Sequence, residues 1–168
     1  ASLCISATGA GDVNGDGYAD VIVGSYRYGL GQLNEGAAFV FHGSPSGISS
    51  GTVASANSTL QSDEEGALFG YRVSQAGDVN GDGYSDVIVS ATEYGFSGAV
   101  FVFHGSPLGI ANGNPATANT TLLSNLSGAG FASSVASAGD VNGDGYADVI
   151  VGAGDYNGGI FREGSAFV

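Results

Sequence analysis

The sequence predicts an all-β protein assembled from repeated four-stranded antiparallel units, and three observations carry the prediction. One acidic loop occurs three times, as GDVNGDGYADVIVG from Gly11, GDVNGDGYSDVIVS from Gly77 and GDVNGDGYADVIVG from Gly139. Each copy runs directly into a short Val-Ile-Val strand, and no stretch sustains a helical hydrophobic period. Glycine occupies 31 of 168 positions, and each one inside a helix would cost about 1 kcal/mol.

The repeat extends beyond the loop. Asp12, Asp78 and Asp140 stand 66 and 62 residues apart, and Phe39-Val40-Phe41-His42-Gly43-Ser44-Pro45 returns 62 residues later as Phe101-Val102-Phe103-His104-Gly105-Ser106-Pro107. A unit is therefore about 64 residues, which divides a single repeat array into approximately 1–66, 67–128 and 129–168. The second unit shows the element order. Phe69-Gly70-Tyr71-Arg72-Val73-Ser74 alternates as a strand before the loop, and Asp86-Val87-Ile88-Val89-Ser90 follows it as a wholly apolar, β-branched strand. A Gly-containing turn leads to Gly98-Ala99-Val100-Phe101-Val102-Phe103, and Thr120-Thr121-Leu122-Leu123 comes after a Pro/Gly/Asn-rich connection.

Four short antiparallel strands at this spacing describe a β-propeller blade. The Val-Ile-Val run fits, because a blade strand covered by neighbouring blades on both faces has no reason to alternate. Propellers have about 4–8 blades, whereas this sequence holds about 2.6 units and stops in the third strand of the last, at Gly164-Ser165-Ala166-Phe167-Val168. The expected ring is incomplete unless other chains or missing sequence complete it.

The loop predicts a hard-cation site. Oxygen donors fall at alternate positions: Asp12, Asn14, Asp16, the main-chain carbonyl of Tyr18, and Asp20. The equivalent sets are Asp78, Asn80, Asp82, Tyr84 and Asp86, then Asp140, Asn142, Asp144, Tyr146 and Asp148. Intervening glycines permit the positive-φ turns that wrap such donors around one ion. An all-oxygen set suits Ca²⁺, about three ions per chain, better than Mg²⁺ with its stricter shell or zinc with its preference for His and Cys. Asp-x-Asn-x-Asp-Gly also begins an EF-hand loop, but that motif needs Glu at its twelfth position, where this sequence has Val23, Val89 or Val151 inside an apolar strand. A dockerin module fails for the same lack of helices.

Charge supports this reading. The net charge of −13 comes from 16 acids against Arg27, Arg72 and Arg162, with no Lys, and nine of the acids lie in the three loops. Three divalent cations would add six positive charges and bring it to −7. Nucleic acid is excluded as a partner, because phosphate neutralisation needs clustered Lys and Arg. Anionic lipid headgroups fail on the same ground, and no apolar run approaches the roughly 20 residues of a membrane helix. The chain starts at Ala1 without Met, which fits a processed or trimmed product. Cys4 is the sole cysteine, so no internal disulfide forms; Leu3-Cys4-Ile5 reads as strand, with Cys4 a small buried residue.

On Phe69-Gly70, the Asp-x-Asn-x-Asp-Gly-x-x-Asp loops, the Val-Ile-Val strands and the Gly-Ala-Val-Phe-Val-Phe strand, the chain resembles the FG-GAP repeats of the integrin α-subunit propeller and related bacterial proteins. Two departures are visible. The third unit has Phe131-Ala132 in place of Phe-Gly, and the family's Gly-Ala-Pro element stands here as Val23-Gly24-Ser25, Val89-Ser90-Ala91 and Val151-Gly152-Ala153. These point away from the animal branch and toward a bacterial or environmental integrin-like protein. The resemblance implies a calcium-stabilised propeller whose cation loops join the first two strands of each blade, with partner binding on the opposite face and rim.

The function expected is a non-enzymatic, calcium-binding structural or adhesion module, extracellular or at the cell surface. Its partners would be other proteins or further copies of itself, in a ring or filament. Two alternatives stay open: a propeller fragment of a larger secreted hydrolase, and a carbohydrate-binding module that presents exposed Tyr26, Tyr28, Tyr94 and Tyr156 to glycans. His42 and His104 each follow a Phe-Val-Phe strand and read as repeated turn residues. No Gly-x-Ser-x-Gly elbow, phosphate loop or nucleophile with a base occurs. Asn57-Ser58-Thr59, Asn119-Thr120-Thr121 and Asn125-Leu126-Ser127 fit the N-glycosylation triplet and are assigned no role.

Overall fold

The structure, a computed structural model, describes residues 6–29, 31–124, 128–157 and 163–168. Cys4, Arg162 and the Asn125 triplet lie outside these residues. Among the described residues, eleven strands form three antiparallel meanders. The first is β1 (Ser6–Gly11), β2 (Asp20–Ser25), β3 (Ala37–Phe41) and β4 (Ser58–Gln61). The second is β5 (Phe69–Gly77), β6 (Asp86–Ala91), β7 (Ala99–Phe103) and β8 (Thr120–Leu123). The third is β9 (Phe131–Gly139), β10 (Asp148–Ala153) and β11 (Ser165–Phe167).

Each sheet is a propeller-type blade with strands in chain order. The first strands, β1, β5 and β9, pack beside one another on the inside, and the later strands step outward. Among the described residues the three sheets do not close into a ring. Registers follow the repeat: Val23 faces Phe39 and Val89 faces Phe101 across their sheets, and Val151 faces Phe167.

Burial explains the Val-Ile-Val run. All six residues of β6 are buried, because a neighbouring blade covers each face of the middle sheet. In β2 and β10, which lack one of those neighbours here, partly buried residues are interspersed. One apolar cluster seals the first blade to the second, with Val13, Ile22, Val40 and Leu60 against Phe69, Val89, Phe101 and Phe103. A second joins Ile88, Val100 and Val102 to Phe131, Val151 and Ala153. Phe69 and Phe101 approach at 5.7 Å between ring centroids, an aromatic pair of the kind that adds about 0.5–1.5 kcal/mol to its buried area.

The Phe-Gly element is a close backbone approach between blades. Gly70 sits at φ +80°, and a β-carbon there would fall 2.3 Å from the Ala37 carbonyl oxygen. Phe69 N–H donates to the Glu35 carbonyl at 3.0 Å. The third blade places Ala132 in the same left-handed region, at φ +65°.

Candidate cation loops

Each acidic loop joins the first two strands of its blade, where a tight Asn/Gly/Asp turn must reverse the chain between β1 and β2, β5 and β6, or β9 and β10. Asp12 organises the first. Its Oδ1 accepts from the amides of Gly15 at 2.7 Å and Asp16 at 3.1 Å, and its Oδ2 from Gly17 at 2.8 Å. Asp16 Oδ1 accepts from Tyr18 N–H at 2.9 Å, and Asn14 Nδ2 donates to Asp16 Oδ2 at 2.9 Å. Asp78 and Asp82 repeat these bonds in the second loop, and Asp140 and Asp144 the main-chain ones in the third.

The ninth position of each loop works from inside. Asp20 is fully buried, and its two oxygens accept from Val13 N–H at 2.8 Å and Gly43 N–H at 2.7 Å. Asp86 does the same with Val79 at 2.8 Å and Gly105 at 2.9 Å, and Asp148 accepts from Val141 at 2.9 Å. This carboxylate thus clamps the loop to its own strand and, in the first two blades, to the turn after the third strand.

The electrostatics follow from these partners. Asn14 and the Tyr18 amide hold the Asp16 carboxyl below its ordinary value. For Asp78, burial works upward, but the amides of Gly83, Gly81 and Asp82 together bring it below the ordinary value. The Gly145 amide leads the same lowering of Asp140, with Gly143 and Asp144. Burial pushes Asp86 up, against the opposing amides of Gly105 and Val79. Crowded carboxylates would repel one another in a bare turn; here each is answered by N–H dipoles of its own loop.

Among the described residues, no three carboxylate or imidazole groups converge closely enough to hold a metal on their own. The set expected from the sequence adds the Asn14 amide oxygen and the Tyr18 carbonyl to the carboxylates of Asp12, Asp16 and Asp20. That mixed oxygen set is chemically suited to Ca²⁺, which accepts carboxylate, amide and main-chain carbonyl oxygens together. Among the described residues the two arginines lie against tyrosine rings: Arg27 is 5.1 Å from the Tyr26 ring centroid and Arg72 4.7 Å from that of Tyr71.

The loops also bridge blades. Ser85 N–H donates to the Asp12 carbonyl, and Ala147 N–H to the Asp78 carbonyl, both at 2.9 Å. The aromatic ring of Tyr84 covers Gly15, and that of Tyr146 covers Gly81. Sequence reading assigned these tyrosines only a main-chain carbonyl, and missed the ring contact. It also missed that the histidines touch the loops: Asn14 Nδ2 lies 3.3 Å from His42 Nδ1, and Asn80 Nδ2 3.0 Å from His104 Nδ1. Their identical place in two units was the available signal.

One expectation is corrected. Tyr26, Tyr28, Tyr94 and Tyr156 are half-buried, each set edge-on against another ring: Tyr71, Phe39, Phe101 and Phe167 respectively. The correction concerns their exposure: these rings pack within the blades and do not stand free.

Comparison with known proteins agrees with the repeat. The FG-GAP repeat family model matches residues 5–41, and the FG-GAP-like repeat model matches residues 78–151. Integrin alpha-PS5 of Drosophila melanogaster is 39% identical over 103 residues, which is 60% of this chain and 10% of the relative. Integrin alpha-6 of Gallus gallus is 37% identical over 110 residues, 62% of this chain and 9% of the relative. Human integrin alpha-6 is 35% identical over 101 residues. The similarity thus spans about a tenth of the length of these relatives.

Proposed function

This chain belongs to the FG-GAP repeat family, and from that footing we propose that it is a calcium-binding, extracellular structural or adhesion module without enzymatic activity. The observation that carries the proposal is the loop's double attachment. Oxygen-rich loops recur in three successive blades, and the first peptide group of each of the first two is hydrogen-bonded to the next blade. A cation that orders a loop would therefore order a junction between blades, and its binding energy would add to folding stability.

In this reading Asp12, Asn14, Asp16, Tyr18 and Asp20 hold one ion, and the corresponding residues of the second and third loops hold two more. Ca²⁺ supplies positive charge to the loop carboxylates when bound. The chain's own groups do the rest: buried Asp20 and Asp86 fix the loop base, and the amides around Asp12 and Asp78 fix the turn. Protein partners, including further copies of this chain, would use the blade surfaces. Among the described residues no helix is long and apolar enough to cross a membrane.

Isothermal titration of metal-free protein tests the proposal, with an expected stoichiometry near three and a higher thermal midpoint in Ca²⁺ than in chelator. No heat of binding and an unchanged midpoint would sink it.

A further inference from the structure

His42 and His104 hold the same place in two successive units, and both imidazoles turn back onto the acidic loop of their own blade. Their main chain is anchored alike: His42 N–H donates to Asn57 Oδ1 and His104 N–H to Asn119 Oδ1, both at 2.9 Å. Asn57 and Asn119 immediately precede β4 and β8. The start of the fourth strand therefore sets where each imidazole sits.

The bonds around Asn14 decide which imidazole nitrogen carries the proton. The Asp16 main-chain N–H can only donate, and Asn14 Oδ1 accepts from it at 3.1 Å; the Asp16 carboxylate can only accept, and Asn14 Nδ2 donates to it at 2.9 Å. Turning the amide over would set N–H against N–H and oxygen against oxygen, so Nδ2 is the atom that faces His42 Nδ1, at 3.3 Å. An amide nitrogen only donates. Nδ1 is therefore bare, and the ring proton sits on Nε2. The second loop repeats the arrangement: Asn80 Oδ1 accepts from Asp82 N–H at 3.0 Å, while Asn80 Nδ2 donates to Asp82 Oδ2 at 2.9 Å and lies 3.0 Å from His104 Nδ1.

This tautomer leaves His42 Nε2–H buried with no hydrogen-bond partner among the described residues. Gly109 of the second blade lies over it, where a β-carbon would stand 2.5 Å from Nε2. A buried donor without a partner is unfavourable, and the ring carries it while its other nitrogen serves Asn14. We propose that His42 and His104 are positioning residues for the first two cation loops. Each neutral imidazole, through Nδ1, holds the nitrogen end of the loop's Asn amide and so keeps the oxygen end, Asn14 Oδ1 or Asn80 Oδ1, turned to the loop. That oxygen is one of the donors assigned to the ion, and a group that fixes a ligand's orientation is commonly worth about tenfold or more in metal affinity. The inference rests on the calcium reading.

The test uses the isotope-labelled 168-residue chain at about pH 8, where a free imidazole is neutral. In metal-free protein, NMR should show Nδ1 of both histidines unprotonated and coupled through the hydrogen bond to the Nδ2 nitrogens of Asn14 and Asn80. Ca²⁺ is then titrated while the Gly17, Gly83 and Gly145 amides, each bonded to the first Asp of its loop, report binding loop by loop. His42→Phe keeps a ring and removes the acceptor, and should weaken the first loop about tenfold with the other two unchanged. His42→Asn removes the ring but puts an oxygen at the place of Nδ1, and should recover most of that loss. A role in filling space predicts the reverse order. A protonated Nδ1 in the unsubstituted chain, first-loop binding undiminished in His42→Phe, or His42→Asn no better than His42→Phe would overturn the proposal. No response at Gly17, Gly83 and Gly145 of the unsubstituted chain is a different failure, which removes the calcium reading and this proposal with it. The second and third loops report within each variant that the chain is folded, and His104→Phe, which should weaken the second loop alone, gives an independent trial if His42→Phe does not fold.

Discussion

Tyr84 presses its ring onto Gly15 of the preceding blade so closely that a β-carbon on the glycine would lie 2.6 Å from the tyrosine Cε1. The next pair, Tyr146 on Gly81, repeats the contact at 2.7 Å, whereas Gly143 has nothing within 4 Å. All three glycines share a positive φ, at +73°, +77° and +78°. The left-handed conformation costs an Ala about 1–2 kcal/mol, so Gly143→Ala should measure that cost alone. Gly15→Ala and Gly81→Ala should lose about 1–3 kcal/mol more, the range for a side chain forced into filled space. Urea unfolding of the three variants checks the ordering; equal losses would show that the rings give way freely.

Ala132 invites the opposite substitution. Its φ of +65° in a fully buried site carries the left-handed cost without glycine's freedom. Ala132→Gly should stabilise the protein by up to about 1 kcal/mol, the strain relieved less the unfolded-state entropy that glycine adds. Gly70→Ala, whose β-carbon would meet the Ala37 carbonyl, should destabilise by about 3 kcal/mol. Thermal melts of the pair should move in opposite directions.

Leu60 and Leu122 occupy the same position in consecutive units but not the same environment. Leu60 is fully buried where Gly113 of the second blade bonds along β4, so Leu60→Ala should cost about 2–5 kcal/mol. Leu122 borders an open cavity between β8 and the third blade, and Leu122→Ala should cost clearly less. Chemical denaturation with equal slopes for both variants would make the comparison valid.

Acid should weaken the metal-free protein through the loops. Asp16, Asp78 and Asp140 have folded values depressed below the ordinary 3.8, so their stabilising contribution is present above pH 3.8 and disappears as pH falls through the depressed values. Asp86 is raised and acts with the opposite sign, gaining as pH falls through its folded value. Three groups against one predict a net loss below pH 3.8. Unfolding measured in chelator across that range checks the sign, and Asp140→Asn should reduce the loss.

Much of this architecture was legible because it is local and repeated. The strands around Val21-Ile22-Val23 and Phe39-Val40-Phe41 declare themselves by β-branched and aromatic runs, and the loop from Asp12 to Asp20 by its alternating oxygens. What escaped notice joins distant residues. Asp12 and Ser85 are 73 positions apart, and Ser58 and Ile110 are 52 apart; a single sequence carries no periodic signal for such pairs. The carboxylates show a subtler gap. Spacing marks Asp12, Asp16 and Asp20 as candidate oxygen donors, but does not show that both oxygens of Asp20 accept from Val13 and Gly43, because the Gly43 amide arrives only when β3 pairs with β2. The tyrosines suffered the reverse error: Tyr28 and Tyr94 looked exposed in a polar stretch, yet the meander folds them against Phe39 and Phe101.

The junction between loops is made first of main-chain atoms. Ser85 N–H and Ala147 N–H give the same 2.9 Å bond to the preceding Asp carbonyl although one residue is Ser and the other Ala. That bond asks nothing of the side chain at this position, so Ser85 and Ala147 serve the junction equally, and the choice of partner between blades is left to the ring and glycine contacts beside it.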